Sequence, residues 1–202
     1  MSLGRGPGRT CMDPIDFAPA VHAVTRIVTG IDDTDLARPT PCAGLTVADL
    51  LDHLDGLTLA FTLAATKESA PGGGASFDGS RLGLGWRAEI PAGLDRLAAA
   101  WSDPAAYAGM TLAGPIEMPA EIAALVALDE VVVHGWDLAR ATDQAYDPGD
   151  GAVLACLAFA EGFEVPEGAG DGPFGPPVPV AADAPPLDRL AGATGRNPGW
   201  TP

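Results

Sequence analysis

Apolar residues recur three and four positions apart over much of this chain, the spacing of one face of a helix. Between residues 14 and 30, Phe17, Val21, Val24 and Val28 form such a stripe. Pro14 suits the first turn of that helix and Gly30 its stop. A second stripe, Val47, Leu50, Leu51, Leu54, Leu57 and Phe61, predicts a helix over 47–68. Thr46 and Asp49 read as its capping box, with Asp in the usual place of Glu. Residues 86–101 predict a third helix, interrupted or restarted at Pro91, with Leu94, Leu97 and Trp101 inward. Residues 109–118 read as extended or irregular, or as a short hairpin-like excursion. The longest strongly apolar run follows at 119–143. There Ile122, Leu125, Val126, Leu128, Val131, Val132, Val133, Trp136 and Leu138 fall on almost every side, which predicts a core helix. A further helix is expected at 149–162, with Val153, Cys156, Leu157 and Phe159 or Ala160 inward, and a short one at 187–195. The Gly- and Ser-rich stretch 69–85 predicts a flexible crossover loop. From about residue 163 the chain turns Pro/Gly-rich and predicts an extended wrap. The sum is an all-α fold: an up-and-down four-helix bundle with a long crossover loop and a Pro-rich C-terminal wrap. Residues 13–202 form the single expected domain, and residues 1–12 the expected disordered leader or tag.

Composition narrows the function classes. Eleven Lys and Arg against 27 Asp and Glu give a formal charge of −16. Such a surface is repelled by phosphate backbones and anionic lipids, so neither nucleic acid nor membrane is an expected partner. No apolar run free of charge is long enough to span a bilayer, since Asp129 and Glu130 interrupt the central one. No secretory signal precedes the first helix. The three cysteines, Cys11, Cys42 and Cys156, are far apart, which suits free thiols in a reducing cytoplasm. The glycines of 69–85 form no phosphate cradle, because no GK[ST] follows and no strand precedes.

The central helix carries the candidate chemistry. Glu130 and His134 stand four residues apart and share a helix face. A carboxylate and an imidazole in a core helix are costly unless paired, and a metal ion is one such partner. His53 sits at the edge of the second helix's stripe, about 40° from Leu57 by the helical step. Two histidines and a carboxylate make a sound ligand set for Zn²⁺ or another divalent transition metal, leaving a position open for water or a substrate atom. E-x3-H spacing also occurs as a surface pair or a hydrogen-bonded core pair. Asp137, three residues after His134, suits an acceptor for an imidazole N–H, a proton-handling residue, or a partner of Arg140. Asp49 reads as a cap, His22 as a surface or boundary residue, and Cys42 as a packed free thiol.

Two segments, "PTPCAGLTVADLLDHL" at 39–54 and "LDEVVVHGWDLARATDQ" at 128–144, resemble the DinB-like superfamily. More narrowly they resemble an actinobacterial metal-binding family related to the N-terminal domain of mycothiol-dependent maleylpyruvate isomerase. The first resembles that family's TPC-x-G-W-T-V-x-D-L-x-x-H, with Leu45 in place of Trp, and the second its E-x-x-x-H-x-W-D-L-A. The resemblance implies a four-helix bundle and a divalent metal, zinc, on His53, Glu130 and His134. It also implies mycothiol as a thiol cofactor. The isomerase has an additional C-terminal domain, whereas only a Pro-rich tail follows here, so fold and metal transfer better than reaction. Two functions are consistent with this. One is a thiol-dependent transferase or isomerase acting on a small electrophilic substrate, with Asp137 as the candidate catalytic residue and Arg140, Arg189 or Arg196 meeting a substrate carboxylate. The other is a non-catalytic metal-binding, sensing or interaction bundle, in which the apolar bundle could form a homodimer.

Overall fold

The computed structural model describes residues 13–68, 75–163 and 174–202. The leader at 1–12, the first part of the crossover loop and the first part of the Pro-rich tail lie outside the described residues. The described chain is mostly helical, with six α-helices: α1 (Ala18–Gly30), α2 (Val47–Thr66), α3 (Trp86–Trp101), α4 (Ala120–Ala141), α5 (Asp150–Gly162) and α6 (Pro186–Ala193). The stretch expected to be extended is a hairpin of β1 (Met110–Ala113) and β2 (Ile116–Pro119), antiparallel with Met110 opposite Pro119.

Each helix is where its stripe places it. Phe17, Val21, Val24 and Val28 of the first stripe are all buried, as are the six stripe residues of α2. Thr46 caps α2: its Oγ1 accepts from the Asp49 N–H, and Asp49 Oδ2 accepts from the Thr46 N–H at 2.8 Å. α3 runs through Pro91 without interruption. Pro91 falls early in the helix, where it forgoes one backbone bond, and buried Ile90, Leu94, Leu97 and Trp101 hold the rest. The last part of α4 is buried on every side from Val131 to Ala139, while Ile122 in its first turns is 39% exposed. The core-helix reading therefore applies to the half that carries His134.

The packing order differs from the expected up-and-down one. In that order each helix lies beside the next in sequence. Here the principal partners of α1 are α3 and α4, and those of α2 are also α3 and α4. The connection 31–46 is long enough to carry the chain across the end of the bundle, so sequence neighbours need not be spatial neighbours. The consequence is that α2 and α4, the two helices bearing the candidate ligands, pack directly against each other. α5 lies against α4 and α6. In the described part of the tail, the Val178 N–H donates to the Gly192 carbonyl at 2.9 Å, tying residues 174–185 alongside α6.

Candidate metal centre

The α2–α4 contact brings His53, Glu130 and His134 together. His53 Nε2 lies 3.2 Å from Glu130 Oε2, and His134 Nε2 lies 3.1 Å from the same oxygen. One ligand atom from each falls within 4.8 Å of the other two, a group that could hold a metal ion. The imidazole rings stand nearly perpendicular, centroids 5.0 Å apart. The His53 and His134 side chains are 11% and 7% exposed and Glu130 27%, so solvent approaches over the carboxylate.

The donor set fits a cation on an independent ground. Asp137 Oδ2 lies 3.0 Å from His134 Nδ1 and accepts its proton bond. A neutral His134 then presents a lone pair at Nε2 toward the Glu130 oxygen, which is also an acceptor. Two acceptors at that distance need a positive charge between them, either a proton or a metal. Without a metal a proton fills the role. Burial opposes charge on His134, but the Asp137 and Glu130 bonds hold its pKa up at about 9. Burial likewise opposes charge on Glu130, yet His134 and His53 hold its carboxyl well below the usual range.

Asp137 is fully buried and is also held by Arg196, whose Nη2 donates to the same Oδ2 at 3.0 Å and whose Nε donates to Oδ1 at 3.4 Å. Arg196 also donates to the Thr194 carbonyl at 2.7 Å and lies 3.8 Å from Cys42 Sγ. The partner of Asp137 is thus Arg196 rather than Arg140. None of the three arginines expected to meet a substrate carboxylate stands free for it: Arg196 pairs with Asp137, Arg189 with Glu161, and Arg140 donates to the Trp200 carbonyl. His22 is exposed on α1, and Cys42 and Cys156 are free thiols. Burial pushes the Cys42 thiol up, against the nearby charge of Arg196.

Three residues at or beside the site escape a reading of spacing and periodicity. Phe77 stacks on His53 with ring centroids 3.8 Å apart and planes 13° apart. It lies 24 residues from His53 in a Gly-rich stretch that carries no period. Arg196 is 59 residues from Asp137, and only a contact across the fold reveals it. Asp129 is buried, with Oδ1 lacking a partner among the described residues. Burial first, and then the charge of Glu130, push its carboxyl up to about 7.

Two uncharacterized proteins of Mycobacterium tuberculosis, from strains CDC 1551 / Oshkosh and ATCC 25618 / H37Rv, are each 29% identical over 202 residues, covering 92% of this chain and 99% of their own. The crystal structure of the mycothiol-dependent maleylpyruvate isomerase superposes with a TM-score of 0.53 at 18% identity, over 72% of this chain and 68% of that one. At that identity the likeness is one of fold. The model of the mycothiol maleylpyruvate isomerase N-terminal domain matches residues 17–139, a span that holds His53, Glu130, His134 and Asp137 and stops short of α5, α6 and Arg196. This chain belongs to the mycothiol maleylpyruvate isomerase N-terminal domain family.

Proposed function

We propose that this chain binds a divalent transition metal, zinc, through His53 Nε2, the Glu130 carboxylate and His134 Nε2. We propose further that it uses the site as a thiol-dependent transferase or isomerase, with mycothiol as the thiol. The observation that carries the reading is the convergence of two imidazole nitrogens on one carboxylate oxygen at 3.1 and 3.2 Å, from two helices packed face to face. Three protein ligands are the number found in catalytic rather than structural zinc sites. A bound divalent metal supplies a Lewis acid that lowers the pKa of a thiol or water beside it.

The chain's own residues divide the remaining work. Glu130 holds the negative charge of the site and faces its solvent-accessible side. His134 is kept in one tautomer by Asp137, and Arg196 holds Asp137 in place. Asp137 is therefore a positioning residue in this scheme, since it is closed off from the side where a substrate enters. The Asp129 carboxyl lies beside the site with its proton affinity raised into the neutral range, and it touches none of the three ligands through a hydrogen bond.

Elemental analysis of purified protein tests the metal. Near-stoichiometric zinc in the wild type, lost in His53→Ala, is expected; wild-type protein free of metal after growth with added zinc would falsify the reading. Addition of mycothiol to cobalt-substituted protein tests the thiol. A changed visible spectrum is expected as sulfur enters the open position, and an unchanged one favours the non-catalytic, sensing alternative.

A further inference from the structure

The two histidines are supported in unlike ways. His134 has a hydrogen bond at Nδ1, to Asp137. His53 Nδ1 is buried with no partner among the described residues. A ligating histidine ordinarily donates its second N–H to a carboxylate, carbonyl or water, which fixes the ring. What touches the His53 ring instead is the face of Phe77, nearly parallel at 3.8 Å, and the same Phe77 meets His134 edge-on at 6.2 Å.

Phe77 is 44% exposed, so core burial does not hold it there. Its backbone does. On α2, Asp49, Asp52, His53 and Gly56 fall at i, i+3, i+4 and i+7 and share one face. The segment 75–79 lies along that face. Ser76 Oγ donates to Asp52 Oδ2, as does the Asp78 N–H at 3.1 Å, and the Gly79 N–H donates to Asp49 Oδ1 at 2.8 Å. The approach is tight at Gly56 and too close for a side chain at Gly79. A Cβ on Gly56 would stand 3.1 Å from Ala75 Cα, and one on Gly79 would stand 2.7 Å from Ala48 Cβ. Two aspartates and two glycines thus set a five-residue strap flat on α2, with Phe77 at its centre over His53.

We propose that Phe77 is the positioning residue of His53, and that the strap 75–79 makes it a cover over the α2 side of the centre. The proposal rests on the reading of His53, Glu130 and His134 as metal ligands. The ring face stops His53 from turning about its side-chain axis, which is the first motion by which Nε2 would leave a metal. It also excludes water from that side, so that exchange is confined to the Glu130 side.

The test compares wild type, Phe77→Ala, Phe77→Tyr and Asp52→Asn as full-length proteins. Zinc affinity is read by competition with a chromophoric chelator, and zinc loss by transfer into excess chelator. Phe77→Ala is expected to bind zinc about 10- to 100-fold more weakly, the usual effect of removing an outer support, and mainly through faster loss. Phe77→Tyr keeps the ring face and should retain wild-type affinity. Asp52→Asn loosens the strap and should fall between the two. The metal-free melting temperature is expected to be unchanged in Phe77→Ala. A wild-type zinc-loss rate in that variant overturns the proposal while leaving the metal site standing. Wild-type protein that binds no zinc overturns the metal reading instead. Ring-proton resonances of His53 in metal-free protein decide the positioning separately: beyond the shift that loss of the stacked ring causes by itself, they are expected to broaden in Phe77→Ala, and signals as sharp as in the wild type overturn the role of Phe77.

Discussion

Asp137 has the most to lose from a single change. Its Oδ2 serves both His134 and Arg196, with no exposure of its own. Asp137→Asn is expected to weaken zinc binding about 10- to 100-fold, read by chelator competition. The same variant leaves a nearly buried guanidinium without its counter-charge, at a cost to folding of about 3–5 kcal/mol in urea titrations. The pH dependence follows from the pKa of His134, raised from 6.5 to about 9 in the metal-free protein. A raised folded-state pKa contributes stability that is fully present below about pH 6.5 and is lost as pH rises through about 9. Glu130 is shifted downward, so its contribution is present above the ordinary carboxyl range and is lost in acid. Metal-free protein is therefore expected to be less stable to urea at pH 9 than at pH 6. Zinc should abolish most of that difference, because it takes the proton's place. Of these residues, the three candidate ligands were readable from spacing, an apolar setting and family resemblance. The supports were not: Phe77 and Arg196 meet their targets only after the chain has folded back across 24 and 59 residues.

At the scale of elements, α2 carries His53, and its start is set by four residues. Thr46→Ala removes the Oγ1 that receives the Asp49 N–H and is expected to cost about 1 kcal/mol of stability, measured by denaturation. It also removes the hydroxyl bond to Asp49 Oδ2, leaving only the backbone one, and so loosens the Asp49 whose Oδ1 anchors Gly79; faster zinc loss is expected to accompany the lower stability. Helices α1 to α5 were legible because burial on one face forces a period near 3.6, and the capping box marked the start of α2. The hairpin at 110–119 was legible as one of several readings of an extended or irregular stretch, since four-residue strands are too short for an alternating pattern to stand out. The pairing of α2 with α4 was implied by the candidate ligand set His53, Glu130 and His134, and not by the helix patterns. Loop lengths permit several orders, and what selects among them is the fit of faces distributed over the whole chain.

For the whole molecule, the matched family span ends at residue 139, yet the support of the centre continues to Arg196. A chain ended after residue 195 retains every candidate ligand. It is nonetheless expected to bind zinc as weakly as Asp137→Asn, which chelator competition can check directly. Its charge of −16 should keep it from retaining DNA at physiological salt, while also favouring capture of cations near its surface. The reach of Arg196 also has a bearing on the order of events during synthesis. About 60 residues separate His134 from Arg196, so a ribosome working at about 5–20 residues per second makes the donors roughly 3–12 s before the arginine that steadies them. A cation that arrives in that interval meets a centre still missing its buttress. On the proposed metal reading, correct loading would be deferred until translation has passed the tail, and a chain stalled within it would hold a metal poorly.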